Sequence, residues 1–197
     1  MSDAGEASAN PSRAPRGRMR IWPSVAIAVI LAATVFGGYV VAAALETPSG
    51  EPVAVAGTVA VQPLSGWEAG EPFAAESLQG TSLTRGTGNL DVIVTAPAAG
   101  GVLEVSTRFV EQVLEPQAER LSVSPELEPV EVAGGRAAAR FSYVGVFGRG
   151  GTPIEGEVTV TIAANDAGVV FDAWAPEGQL AFSLPDTRAM QDAAEMV

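Results

Sequence analysis

The sequence predicts an α+β domain, an antiparallel β-sheet covered by helices, preceded by one transmembrane helix. Three stretches carry this reading. Ile21 to Leu45 runs for 25 residues without a charge. Three segments between Arg136 and Ala175 alternate apolar and polar residues, the period of a strand with one face in water. Val102 to Leu114 instead repeats its apolar residues at helical spacing, with Val102, Val105, Phe109 and Val113 on one side and Glu104, Arg108 and Glu111 on the other.

Residues 1–20 are rich in Ser, Ala, Pro, Gly and Arg and lack the apolar side chains needed for a core, so they read as a disordered cytoplasmic tail. As a helix, Ile21 to Leu45 would rise about 37 Å, more than the ~30 Å hydrocarbon layer of a bilayer. It can span. Arg13, Arg16, Arg18 and Arg20 precede this stretch and no basic residue follows it before Arg85, so the positive-inside rule places the N-terminus in the cytoplasm and the domain outside the plasma membrane. Trp22 and Tyr39 lie near its ends, where amphipathic rings favour the headgroup boundary. The alternative is a cleaved signal peptide ending at Ala42-Ala43-Ala44, but the long leader and long apolar run favour a retained anchor. Residues 46–52, with two prolines and a glycine, form a linker to the domain of residues 53–197.

Val53 to Val61 is rich in β-branched residues and predicts a first strand, stopped by Pro63. Leu78 to Thr84 and Leu90 to Thr95 flank a glycine-bearing loop and predict a hairpin. After the helix, Arg136 to Phe147, Ile154 to Ala163 and Val169 to Ala175 predict three antiparallel strands. Opposing Phe147 to Ile154, and Ile162 to Val169, brings their apolar sides onto one face. The other face then carries the rows Val144, Glu157, Trp174 and Ser142, Thr159, Asp172. Gln179 to Phe182 reads as a short edge strand. Ser183 and Asp186 resemble a capping box for a last helix, with Met190, Ala193, Ala194 and Val197 inward.

Composition excludes much chemistry. The chain of 197 residues contains no Cys, His or Lys. Disulfides, thiolate and imidazole metal sites, Ser-His and Cys-His nucleophiles, and Schiff-base chemistry are therefore absent. Residues 46–197 carry 21 Asp and Glu against 7 Arg, a net charge of −14 that repels nucleic acid. No cofactor, metal or catalytic residue is implied.

The remaining candidates are few. Glu155 and Glu157 share a strand face with Asp172 one strand over, and paired carboxylates can serve as acid and base. An exposed face with Arg140 diagonal to Asp172 is the simpler reading. Val144, Glu157 and Trp174 make the candidate ligand or partner contact, because large aromatics on an outer face tend to mark contacts. If a helix covers that face, Trp174 is core instead. Trp67 reads as a core plug, Asn165-Asp166 as a turn, and Gly148 to Gly151 as a hairpin loop.

The order Gly66-Trp67, LTRGTGNLDV, a helix ending Leu114-Glu115-Pro116, GGRAAARFSYVGVF, PIEGEV and VVFDAWAPEGQL resembles small actinobacterial cell-envelope proteins with a PsbP-like fold, among them the LpqN-type lipoproteins. The resemblance implies an antiparallel sheet covered by helices, and a binding or assembly role at the envelope rather than a shared reaction. This chain lacks the lipid-bearing cysteine of those lipoproteins and has a peptide anchor in its place. The expectation is a non-catalytic, single-pass envelope module whose partner is the membrane, with a lipid or an envelope membrane protein as its ligand. A carboxylate-based glycan hydrolase and a structural subunit of a membrane complex are the alternatives.

Overall fold

A computed structural model describes residues 50–75, 78–133, 135–148 and 151–196. The tail, the apolar stretch 21–45, most of the linker and Val197 lie outside these residues. No helix among the described residues is long and apolar enough to cross a membrane.

The elements are β1 (Val53–Val55), β2 (Val59–Val61), β3 (Glu68–Ala69), β4 (Phe73–Ala75), β5 (Leu78–Arg85), β6 (Gly88–Pro97), a helix α1 over residues 101–117, β7 (Ala118–Val123), β8 (Glu128–Val132), β9 (Arg136–Phe147), β10 (Pro153–Ile162), β11 (Ala167–Pro176), α2 (Leu180–Asp192) and β12 (Glu195–Met196). Strands β3-β5-β6-β11-β10-β9-β7 form one antiparallel sheet, with β4 also on β5 and β8 also on β9, and β1-β2-β12 form a small second sheet. Each face of the large sheet carries its own core. On one, Leu83, Leu90, Val92, Phe171 and Ala173 pack with Val59 and Val61 of the small sheet, Trp67, and Leu180 and Met190 of α2. On the other, Ile93, Phe141, Tyr143, Val158, Val160 and Val170 pack against Val105, Phe109 and Leu114 of α1.

Several predicted elements hold. The β5–β6 hairpin, the central helix and the β9–β10–β11 meander form, and Trp67 is buried. Others need correction. The first strand is two strands, because Ala56 and Gly57 both take positive φ, 52° and 62°, and turn the chain back as Val55 pairs with Val59. Strands β7 and β8 were not legible in the polar runs AERLSV and EPVEV, whose charges suit the edge positions they occupy. Gln179 to Phe182 is no strand, since α2 starts at Leu180. The Glu155 Oε1 atom accepts the Leu180 N–H at 2.8 Å and caps that helix from β10. Ser183 is inside α2, its hydroxyl donating to the Leu180 carbonyl at 3.1 Å, and Ala193 faces solvent.

The register differs twice, with unequal consequences. Ile154 opposes Gly145 rather than Phe147, and Tyr143 opposes Gly156. This slip of two residues keeps every side chain on its expected face. Tyr143 sets it by laying its ring over Gly156, where any Cβ would overlap the ring. Ile162 opposes Gly168 rather than Val169, a slip of one residue that inverts the faces of β11. The turn dictates it. Asp166 sits at φ 62° and donates its N–H to the Ala163 carbonyl at 3.1 Å, while Ala163 bonds to Ala167 at 2.9 Å. Alternation in β11 could not reveal this, because Val169 to Ala173 are buried on both sides.

Candidate functional site

The inversion of β11 disperses the predicted contact row. Glu157 and Val144 lie on the α2 face, while Trp174 and Asp172 turn to the α1 face, so the three contact residues form no single patch. Val144 is 45% exposed. Glu157 is nearly buried and is held by Arg188 of α2 through Nε at 2.8 Å and Nη2 at 2.6 Å, with Arg140 Nε at 3.2 Å. Arg140 therefore pairs with Glu157 on the same face, not with Asp172. With Glu155 capping α2, two of the three candidate acid–base carboxylates hold a helix in place.

What the inversion assembles lies on the other face. Strands β6 and β11 are neighbours at the sheet centre, and Asp91 and Asp172 stand directly opposite each other on them. The Asp172 carboxylate, 5% exposed, accepts the Tyr143 hydroxyl at 3.1 Å on Oδ1 and 3.2 Å on Oδ2. Asp91 accepts the Trp174 indole N–H at 2.9 Å and the Ser82 hydroxyl at 2.5 Å. No arginine pairs with either acid among the described residues. Burial raises the Asp172 carboxyl well above its usual range, and the facing Asp91 pushes it further, while the Tyr143 hydrogen bond opposes the shift. Burial also raises Asp91, against the lowering effect of Ser82 and Trp174. Tyr143 is raised too, by burial and then by Asp172, so its hydroxyl remains a donor.

Helix α1 roofs this pair. Gly101–Phe109 is regular α-helix, Val110–Leu114 widens to a π turn, and Glu115–Gln117 closes the helix. Such turns recur at functional sites because the extra residue breaks the regular packing line. Here Val113, Leu114 and Gln117 face the sheet across a cavity of about 480 Å³ that Asp91, Tyr143, Phe147, Ile154, Asp172 and Trp174 also line. The volume is within the size range of small-molecule sites, as is the mix of apolar walls and a few convergent polar groups. Chemically the site offers acceptors from two desolvated carboxyls beside aromatic surface.

Of the residues the sequence singles out, Trp174 of the contact row and Asp172 of the carboxylate group border this cavity. Asp91, Tyr143 and Ser82 were missed. The one available signal was an aspartate between Leu90 and Val92 in an otherwise apolar strand.

The fold has known counterparts. The solution structure of CyanoP, the cyanobacterial PsbP of Synechocystis sp. PCC 6803, matches with a TM-score of 0.54 at 13% identity over 75% of this chain and 92% of that one. LpqN, involved in cell envelope biogenesis of Mycobacterium tuberculosis, gives 0.48 at 13% identity over 77% and 90%. The Ran-binding protein Mog1p of Saccharomyces cerevisiae gives 0.43 at 11% over 75% and 89%. The chain thus has a PsbP-like fold, mostly β-sheet with few helices among the described residues and with more strands than the sequence predicts. No family model and no curated protein matches the sequence.

Proposed function

We propose that this chain is a single-pass, non-catalytic binding module of the bacterial cell envelope. Its domain lies outside the plasma membrane, and the cavity beneath the π turn of α1 is its binding site. The carrying observation is that cavity of about 480 Å³, walled by apolar and aromatic side chains, with two buried carboxyls at its floor. The uncharged stretch 21–45 and the arginines before it support the anchor and its orientation. The absence of Cys, His and Lys supports binding over catalysis, as does the commitment of Glu155 and Glu157 to α2. A net charge of −14 beyond the anchor favours a lipid or a membrane protein over nucleic acid.

Native mass spectrometry of the full-length protein extracted from its own membranes tests the binding reading. A retained adduct, lost when Leu114→Trp fills the cavity, is expected, whereas a bare chain of full mass would overturn it. Protease added to spheroplasts should remove the domain, and protection would overturn the orientation.

A further inference from the structure

The cavity's hydrogen-bonding character is one-sided. Tyr143 gives its only hydroxyl proton to Asp172, Trp174 its indole N–H to Asp91, and Ser82 its hydroxyl to Asp91. A carboxylate offers about four acceptor positions. Asp91 uses two of them, and Asp172 shares a single O–H between both oxygens. Beside the two buried acids the Tyr143, Trp174 and Ser82 protons are already committed, and the other polar side chains of the lining are the exposed Thr152 and the exposed Gln117, whose amide donates to the Val113 carbonyl, while a donor finds several open lone pairs at the acids. Among the described residues the acids also have no arginine partner such as Glu157 and Asp186 have across the sheet. A divalent metal is a poor match, because hard cations take six or more oxygen ligands and most of this lining is apolar.

We infer that the cavity takes a monovalent organic cation, an ammonium or guanidinium head on an apolar chain or ring, with the head at Asp172 and Asp91 and the body along Val113, Leu114 and Ile154. The inference rests on reading the cavity as a binding site and adds the charge of its ligand. Trp174 and Tyr143 present aromatic surface to such a head. Binding is coupled to a proton. Among the described residues the titratable groups facing the head are Asp91 from β6, Asp172 from β11 and Tyr143 from β9; the α1 and β10 residues of the lining add none. Burial raises both carboxyls and the facing Asp91 raises Asp172 further, so a proton is held more tightly there than on a free carboxylate. A bound cation favours both carboxylates ionised, so one cation enters and the proton leaves to solvent.

The test is calorimetric titration of the full-length protein in zwitterionic nanodiscs with hexylammonium, hexanol and hexanoate, in two buffers of different ionisation enthalpy. Hexylammonium should bind about tenfold or more tighter than hexanol, as charge-assisted hydrogen bonds outweigh neutral ones, and hexanoate should not bind. The enthalpy should differ between buffers, reporting proton release. Asp172→Asn, which keeps an acceptor for Tyr143, should remove the ammonium preference and leave hexanol binding intact. Asp91→Asn gives a second route if that variant does not fold. Equal binding of hexanol and hexylammonium would overturn the cation inference and leave the cavity as a neutral apolar site. Binding of neither would overturn both readings.

Discussion

Among the described residues, each buried acid on the α2 face of the sheet meets an arginine, and on the α1 face none does. Glu157 is clamped by Arg188 and Arg140. Asp186 pairs with Arg85 and accepts the Trp67 indole N–H at 3.1 Å, while the Arg85 guanidinium sits 5.5 Å from the Trp67 ring centre. The donors that Asp91 and Asp172 have among the described residues are neutral ones. A desolvated carboxylate with a guanidinium can remain charged and anchor a helix, but two carboxylates facing each other must give up charge or gain a cation. The first face reads as a clamp and the second as a receptor.

Breaking the clamp should have the largest effect. Glu157→Ala strands Arg140 and leaves Arg188 without its bidentate partner, which is partly exposed and so discounted, at a cost of about 2 to 4 kcal/mol in urea unfolding. A loss under about 0.5 kcal/mol would show that α2 is held by its apolar side alone. Gly156→Ala tests the receptor face. Its Cβ overlaps the Tyr143 ring and should cost about 1 to 3 kcal/mol while shifting the Tyr143 and Asp172 resonances.

Asp172→Asn should act with the opposite sign. A carboxyl whose folded pKa is raised stabilises fully below its unfolded value of 3.8, and that contribution is lost as pH rises through the folded value. The variant should therefore be more stable than the parent at neutral pH, on the order of 1 kcal/mol, with the gap closing below 3.8. Thermal unfolding against pH measures this, and a variant less stable at neutral pH would contradict it. The smallest change is expected at Phe182, which is 82% exposed on α2. Phe182→Ser should stay within about 0.5 kcal/mol, because α2 is held from its other side.

The sequence made the meander, the hairpin and the central helix legible, because each has a long, clean period. It hid the site for one local reason. A turn with Asp166 at positive φ moves β11 by one residue, and a strand buried on both faces gives no alternation to reveal the move. The predicted row of Val144, Glu157 and Trp174 depended on that register. Asp91 was visible as a lone acid in an apolar strand, but its pairing with Asp172 required knowing that β6 lies beside β11, which no local pattern encodes.

The most direct test of the contrast between the faces is a carboxyl carbon NMR titration of Asp91 and Asp172 in the ligand-free protein. The pair is expected to keep one proton well past the usual carboxylate range and to release it when hexylammonium is added. Both carboxyls ionising together near about 4, with no response to the cation, would contradict it.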